Sequence, residues 1–366
     1  MEKSALVYIL LSVTVVGLAL FVDSSQQDVS FLSRGKARNF VAEFAVFALL
    51  TGVSACRIAV GNDYWPYRFN FNLIAQERHV SSEFGFNLIV KGMNALFGYD
   101  NYLPIFALFS ILTVLFFSLA LHEQATDYAM TVFLLMTGGY YFNSLNSVRY
   151  YLALAIALFS MNYVLGGEWE KFIFWILVGS MFHKSILLVV PVYFCAGFLA
   201  SKKLKTWHYV LLGTGFAAAV LFGKNLIREV IFLFYPYYRN SDFDNGRISY
   251  VNVLKCAAVL VLCLIFSREG MKRDLKIRFY FFLNVFGLLA YCCGSFLPEI
   301  SRVGYYMIIS QIFLIPQVLK GIEAKKIRYF CCAGVVMAFS VYFVFLLRGM
   351  YAVDVRLLPY RNWIFD

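Results

Sequence analysis

Charged residues are scarce in this chain of 366 residues. Lys, Arg, Asp and Glu make up 14% of it, whereas 61% of the residues are hydrophobic. Soluble domains carry about 25% charged residues, and a soluble fold of this length has too little interior to hide so much apolar surface. The apolar residues form continuous runs, as in 103–121, and do not alternate as in a β-barrel strand. Because backbone polar groups in lipid must be satisfied within each segment, the sequence predicts an all-α, polytopic transmembrane protein.

Motifs for metals and nucleotides are also missing. No CxxC occurs, and no His stands near any of the 8 Cys, which argues against a zinc site or a disulfide framework. There is no Walker A motif and no GxGxxG in a suitable context, which argues against ATP or NAD. The pair Asp242 and Asp244 has the DxD spacing of metal–diphosphate sites, but the Asn-Gly that follows it is typical of a turn. We therefore expect no metal and no cofactor.

Hydrophobic runs of span length predict about 12 transmembrane helices in a single membrane domain, residues 1–366. The N-terminal run lacks a small-x-small cleavage site, so we interpret it as a retained first span. Segment 84–97 is short and carries Lys91, which favours an amphipathic helix on the outer surface. Segment 172–200 favours a tight hairpin that turns near His183, with one long tilted span as the alternative. The predicted spans lie near 5–22, 39–56, 102–121, 127–142, 149–165, 172–184, 185–200, 207–223, 250–267, 279–297, 302–319 and 329–347.

Clusters of basic residues set the orientation. Dense clusters near 34–38, 202–205, 268–278 and 320–328 are expected inside. Both termini are then outside, together with loops at about 57–101 and 224–249 and the tail 348–366. Orientation does not require outer arginines, yet arginine is enriched there. Since Arg captures phosphate and carboxylate in a bidentate manner, these residues indicate an outward-facing site for an anion: Arg57, Arg68, Arg78, Arg149, Arg228, Arg239, Arg247, Arg302, Arg348, Arg356 and Arg361.

The loop after the second predicted span combines charge with aromatic residues. Arg57 lies at the membrane boundary, Asp63 and Glu83 are the acids most suited to face a pocket, and Tyr67 can stack on a sugar ring. Gly61 allows a tight turn. The structural alternative is an Arg that reaches lipid headgroups and an Asp that caps a turn.

Two further segments carry candidate site residues. Asn146 and Arg149 open a span on the outer side, where the free N–H groups of a helix start favour anions; a capping motif is the alternative. His183, followed by Lys184, lies at membrane depth and titrates near neutrality, which suits acid–base work. The alternative for His183 is a structural hydrogen bond.

A last charged pair joins two predicted spans outside. Glu299 and Arg302 are spaced i, i+3, which fits an ion pair at a loop as well as a lining of the site.

In this order the motifs resemble those of the EpsG/Wzy-type polysaccharide polymerases. The resemblance rests on Arg57 with Gly61, Asp63, Tyr67 and Glu83-x-Gly-Phe, on Asn146-x-x-Arg149, on Phe-His183-Lys-Ser, and on Arg302-x-x-x-Tyr, over roughly residues 35–310. Members of this family often have Gln after the Arg, whereas Tyr150 stands here.

The resemblance implies a membrane glycosyltransferase of the bacterial cytoplasmic (inner) membrane that makes exopolysaccharide, capsule or O-antigen. It would transfer a growing glycan from undecaprenyl diphosphate to a lipid-linked repeat unit, with its active site facing the periplasm or the cell exterior. Arg57, Arg149 and Arg302, helped by Asn146 and Tyr67, are expected to bind the diphosphate and substrate. His183, Asp63 or Glu83 is expected to deprotonate the acceptor. Membrane lipid, a chain-length regulator and a flippase are the expected partners, and nucleic acid is not.

Three other functions are alternatives to polymerisation. An O-antigen ligase would use the same donor but usually has a larger outer loop. A flippase or secondary transporter tends to show two similar halves and helices broken at the midplane. This sequence shows no such halves, and its polar signals cluster at one face. A membrane O-acyltransferase would place its His and acid on the cytoplasmic or buried side.

Overall fold

The computed structural model describes residues 3–23, 34–99, 101–202, 248–297 and 300–364, together with 214–215, 222–226, 228–229, 232–233, 239 and 246. Within these residues the backbone is helical, apart from loops and one isolated antiparallel bridge between Arg57 and Asn362. The α-helices are α1 Lys3–Ala19, α2 Arg34–Ala55, α3 Tyr64–Ala75, α4 Phe84–Phe97, α5 Leu103–Gln124, α6 Tyr128–Thr137, α7 Tyr140–Ser144, α8 Val148–Leu165, α9 Trp169–Ser180, α10 Val189–Ser201, α11 Tyr250–Phe266, α12 Arg268–Arg273, α13 Leu275–Cys292, α14 Ile300–Ile308, α15 Gln311–Lys320 and α16 Lys325–Gly349. Short 3₁₀ segments cover Lys184–Leu188 and Cys293–Ser295.

The all-α, membrane-spanning fold class is confirmed. Seven segments of the described chain are long and apolar enough to cross a bilayer, whose core needs about 20 residues of helix: Arg34–Ala55, Leu103–Gln124, Val148–Leu165, Lys184–Ser201, Leu275–Ser295, Ile300–Lys320 and Lys325–Gly349. Three shorter apolar helices, Ser4–Ala19, Tyr128–Thr137 and Tyr250–Phe266, coincide with further predicted spans. Most of the predicted span at 207–223 and of the loop at 224–249 lies outside the described residues. The total of about 12 spans stays a prediction.

Segment 172–200 is not one continuous helix. Helix α9 ends at Ser180, and the chain resumes as the 3₁₀ segment Lys184–Leu188 before α10 begins. The interruption falls at the predicted turn near His183. The predicted amphipathic segment is helical as α4, which at 14 residues is too short to span a bilayer.

The chain folds into two compact units, and the first consists of 1–187 and 322–366. Helix α8 is its centre, packed against α5 and α9. Small residues such as Ala153, Ala155 and Ala157 let neighbouring helices approach α8 closely, and all three are fully buried.

Both ends of the first unit's chain lie beside the loop that follows α2. The Tyr8 hydroxyl, near the start of α1, donates to the Leu357 carbonyl at 2.8 Å, and the Tyr360 hydroxyl donates to the Val53 carbonyl at 2.9 Å. The first turns of the N-terminal helix and the C-terminal tail therefore lie beside each other, and the placement of both termini outside stays a prediction.

The second unit, 188–321, is organised around α13, which contacts α10, α11, α14 and α15. A buried polar network joins three of these helices. Asn284 is 0% exposed; its amide donates to the Cys256 carbonyl at 3.0 Å and accepts from the Gln311 amide at 2.7 Å. Hydrogen bonds of this kind connect membrane helices that the hydrophobic effect alone does not hold together.

Candidate functional site

Four segments of the first unit meet around the start of α8. These are the starts of α3 and α4, the residues just before α8, and the turn 181–185. Six of the eight predicted site residues lie on these segments or in the first turn of α8, although they are up to 120 residues apart in sequence: Asp63, Tyr67, Glu83, Asn146, Arg149 and His183.

An ion pair joins α8 to the start of α4. Arg149 is the second residue of α8, and its Nη1 donates to Glu83 Oε2 at 2.6 Å. The Arg149 side chain is 23% exposed and that of Glu83 is 13% exposed. The guanidinium also lies over the Phe86 ring at 5.0 Å and near the Tyr67 ring at 5.7 Å. The pair is therefore partly buried against aromatic faces, where its charges are screened less than on an open surface.

Glu83 also contacts the turn that carries His183. Its second oxygen, Oε1, accepts from the Lys184 backbone N–H at 3.3 Å. The backbone N–H groups of Gly85 and Phe86 donate to the Met181 carbonyl at 2.9 and 3.3 Å. A Cβ atom at Gly85 would lie 2.7 Å from Met181 Cβ, so only glycine permits this close approach. The start of α4 is thus fixed to the 181–185 turn.

Asp63 and Asn146 are brought together through a backbone contact. The Asp63 N–H donates to Asn146 Oδ1 at 3.0 Å. Gly61 precedes it with a φ of +95°, and a Cβ there would lie 2.9 Å from Asn146 Cα. Asp63 stands at the N-cap position of α3, but its carboxylate makes no capping hydrogen bond to that helix.

His183 lies beside the first turns of α8. Its Nδ1 is 2.7 Å from the Ser185 hydroxyl, and its ring meets that of Tyr150 edge-on with centroids 5.4 Å apart. The Tyr67 hydroxyl lies 3.4 Å from that of Ser147, just before α8. Tyrosine rings and one imidazole therefore border the Arg149–Glu83 pair.

Arg57 lies apart from this cluster, in the core. It is 1% exposed, its Nη1 donates to the Ser110 hydroxyl at 2.8 Å and to the Ser54 carbonyl, and it packs over Phe106. Phe71 separates it from Phe86, contacting the rings of Phe106 and Phe86 at 5.2 and 5.8 Å. Arg57 is therefore not a surface residue that contacts lipid headgroups.

The charge of Arg57 is not balanced by a carboxylate among the described residues; four tyrosines are its electrostatic neighbours. Burial lowers the pKa of this guanidinium. The guanidinium remains protonated nonetheless, because arginine does not lose its proton in proteins. The fold therefore retains an uncompensated buried cation, which is costly to maintain.

Arg302 belongs to the second unit, in the first turns of α14. Its proposed partner Glu299 lies outside the described residues, as do Asp242 and Asp244. Within the described chain no group of three or more His, Cys, Asp or Glu side chains is arranged to hold a metal ion.

Two parts of this site carry little or no signal in the sequence. Ser185 stands out only as part of a motif, because a serine two residues after a histidine is common.

The C-terminal tail has no motif at all, yet it pairs with the Arg57–Asp63 loop. The Ile58, Gly61 and Asn62 N–H groups donate to carbonyls of the tail residues Arg361, Arg356 and Val355 at 3.0, 2.7 and 3.0 Å. The tail therefore fixes the loop that ends at Asp63.

Comparison with known proteins gives one match. The family model described as EpsG matches residues 41–362, most of the chain. Neither the curated proteins nor the solved structures give a significant match. The family points to a membrane protein of polysaccharide biosynthesis of the polymerase type, in agreement with the apolar helices. The matched range includes every residue of the cluster, and the chain belongs to the EpsG family.

Proposed function

We propose that this protein polymerises lipid-linked glycan repeat units on the outer face of the bacterial cytoplasmic membrane. It transfers the growing glycan from undecaprenyl diphosphate to the terminal sugar of a lipid-linked repeat unit. The observation that carries the proposal is the cluster around Arg149, in which an arginine at the start of a membrane helix lies beside a carboxylate and near His183, in a chain of the EpsG family. Both substrates are anchored in the bilayer that the helices cross.

Arg149 is the residue best placed to hold the diphosphate. Glu83 engages one of its terminal nitrogens, while its Nε has no hydrogen-bond partner and is buried. A guanidinium has five N–H donors, so donors remain for phosphate oxygens. The start of α8 adds the positive end of the helix dipole, which also favours an anion.

The reaction needs only the substrates. The acceptor hydroxyl oxygen bonds to the anomeric carbon of the donor glycan while the bond from that carbon to the diphosphate breaks. The diphosphate departs on its lipid as an anion, and cationic donors offset the charge that develops on it. The hydroxyl proton passes to a base, for which Asp63, Glu83 and His183 are the candidates.

Arg57 and Arg302 take secondary roles in this proposal. Arg57 is enclosed by protein and does not reach the substrate directly. Its positive charge, which no carboxylate of the described residues neutralises, acts on the site through its electric field. Arg302 is kept as a candidate for the diphosphate on the strength of its motif. Asn146 positions the Asp63 loop, and Tyr67 offers an aromatic ring to a sugar or to Arg149. A chain-length regulator and a flippase remain the expected partners.

Substitution of Arg149 by Ala tests the proposal. We expect the variant to insert normally and to lose long polymer by at least about a hundredfold, the usual effect of removing a donor that stabilises developing charge. Arg348→Ala is the matched control, because Arg348 is an exposed arginine in the last turn of α16. It should leave polymer unchanged.

Surface polysaccharide and lipid-linked intermediates, separated on gels, provide the measurement. Single repeat units on the lipid acceptor with no longer chains indicate a lost polymerase. Their absence from that acceptor would indicate a flippase or a ligase and would refute the proposal, as would full-length polymer from the Arg149 variant.

A further inference from the structure

We infer that His183 donates a hydrogen bond from Nε2 and is not the base, and that Ser185 is the positioning residue that imposes this. The inference deepens the proposed function and rests on it for the identity of the substrate. The observation behind it is a pair of contacts to one ring nitrogen. The Ser185 hydroxyl lies 2.7 Å from His183 Nδ1, and the Ser185 backbone N–H donates to the same atom at 3.4 Å.

The backbone contact fixes the direction of both hydrogen bonds. A backbone N–H can only donate, so Nδ1 must act as an acceptor and carries no proton. The Ser185 hydroxyl then also donates to Nδ1. A neutral imidazole has one N–H, and it is therefore on Nε2.

The surrounding turn holds the ring in this arrangement. Ser185 lies in the 3₁₀ segment that begins at Lys184, which places its N–H and its hydroxyl on the side of His183. The His183 N–H donates to the Gly179 carbonyl at 3.1 Å, and the Lys184 N–H donates to Glu83. Tyr150 contacts the ring edge-on. The backbone on both sides of the imidazole is thus fixed by contacts to α9 and to Glu83.

This tautomer determines which residues of the site donate a hydrogen bond and which accept the proton. A nitrogen that carries a proton cannot accept another, so neutral His183 cannot deprotonate the acceptor sugar through Nε2. It can donate to an anionic oxygen, and the chemical class that fits beside Arg149 is a phosphate oxygen of the lipid diphosphate. His183 then transfers no proton in the reaction. The proton of the acceptor hydroxyl passes to a carboxylate, Asp63 or Glu83.

Ring nitrogen NMR tests the tautomer without any activity measurement. The chain has only 4 His, so ¹⁵N-histidine labelling of the full-length protein in lipid gives few signals, and a His183→Gln sample assigns the signal of His183. At a pH where the ring is neutral, we expect a protonated Nε2 and an unprotonated Nδ1. A majority of the Nδ1–H form would overturn the inference.

A pair of substitutions tests the role. The side-chain amide of Gln reaches the position of Nε2 and can donate there but cannot act as a base, whereas that of Asn is shorter. His183→Gln is therefore expected to retain at least about tenfold more polymerisation than His183→Asn. Equal activities would overturn the donor role.

Two substitutions of Ser185 test its role as the positioning residue. Ser185→Ala should lower activity and broaden the His183 signals, and Ser185→Thr should restore both because it keeps the hydroxyl. Equal activity and equal His183 signals in the two variants would remove Ser185 from the inference.

The proposed function and the inferred tautomer of His183 can be refuted independently of each other. If purified wild-type protein forms no polymer from lipid-linked repeat units, the proposed function is wrong, and the NMR result still decides the tautomer. If polymer forms and Nδ1 carries the proton, the function stands and the inference is wrong.

Discussion

Replacing Gly61 by Ala should disturb the candidate site without touching any group that takes part in chemistry. Gly61 has a φ of +95°, and its N–H donates to the Arg356 carbonyl of the C-terminal tail at 2.7 Å. On its other side a Cβ would meet Asn146 Cα at 2.9 Å and the Leu145 carbonyl oxygen at 3.0 Å. Both are backbone atoms, so they cannot move aside as a flexible side chain could.

Two costs add in this variant. A non-glycine residue in the left-handed region costs about 1–2 kcal/mol, and forcing an extra methyl group into a packed contact costs about 1–3 kcal/mol. The smaller conformational freedom of Ala in the unfolded chain offsets about 0.4–1 kcal/mol. The expected net destabilisation of the first unit is therefore about 1–5 kcal/mol, and relief of the clash should move Asp63 away from Asn146.

Gly98→Ala and Gly167→Ala are the matched controls. Both glycines have positive φ, +85° and +74°, but a Cβ at either would meet nothing within 4 Å. Gly167→Ala carries the cost of a positive φ alone, so its difference from Gly61→Ala isolates the contact with Asn146. Gly98 has a ψ of 157°, a conformation that is essentially restricted to glycine, so Gly98→Ala reports the cost of backbone strain without a packing contact. Four of the five tryptophans belong to the first unit, so tryptophan fluorescence during thermal unfolding in detergent reports mainly its stability: Trp65, Trp169, Trp175 and Trp363.

Polymer length measured beside the melting temperature completes the test. We expect Gly61→Ala to melt at a lower temperature than Gly167→Ala and to form little or no long polymer, whereas both controls should form it. If the three variants melt together and all form wild-type polymer, the loop does not contact the start of α8 as described, and the arrangement of Asp63 would have to be abandoned.

Two further predictions concern the tail and the second unit. Leu357→Asp should detach the C-terminal tail and abolish polymer, because Leu357 is 0% exposed and a buried carboxylate costs several kcal/mol; Val353→Asp, at a position 72% exposed in the same segment, should be neutral in the same polysaccharide gel. Asn284→Ala should lower the stability of the second unit by about 1–3 kcal/mol because the buried Gln311 amide loses its acceptor, whereas replacing both residues by Leu should come close to neutral. A thiol-reactive dye can follow unfolding there, since Cys256 and Cys263 are free and buried; a double variant as unstable as Asn284→Ala would contradict the assignment.

The parts of the fold that follow from local pattern are predictable. The sequence predicts a span at 149–165, and helix α8 runs from Val148 to Leu165, because an uninterrupted apolar run in lipid has no alternative to a helix. The predicted span at 127–142 is divided instead. Helix α6 ends at Thr137, and Gly139, with a φ of +81°, starts α7. A Gly-Gly pair inside an apolar run is compatible with a continuous helix or a break, and tertiary packing decides between them.

The site shows the same division between local and long-range information. Residue type and helix position single out Arg149 and Glu83, but nothing in the sequence indicates that residues 66 positions apart form an ion pair. The role of the tail is not predictable at all. Its contacts with the Arg57–Asp63 loop are backbone hydrogen bonds, and these depend on position and not on side-chain identity.

The charges of the described cluster constrain how a diphosphate can bind. Arg149 in the cluster and the buried Arg57 outside it contribute two positive charges, and Asp63 and Glu83 contribute two negative ones, so with a neutral His183 the sum is zero. A neutral site does not attract an anion at long range, so capture must come from rearrangement or from further cations. Within the first unit, Lys184 is exposed beside His183 and supplies one such charge.

The rearrangement that favours anion binding involves Arg149 itself. In the proposed mechanism, phosphate oxygens would replace Glu83 on its guanidinium, and the freed carboxylate would then be available as a base. Binding and proton acceptance would then be coupled through the Arg149–Glu83 pair, which is why this pair, and not the number of outer arginines, is the central feature of the proposed site.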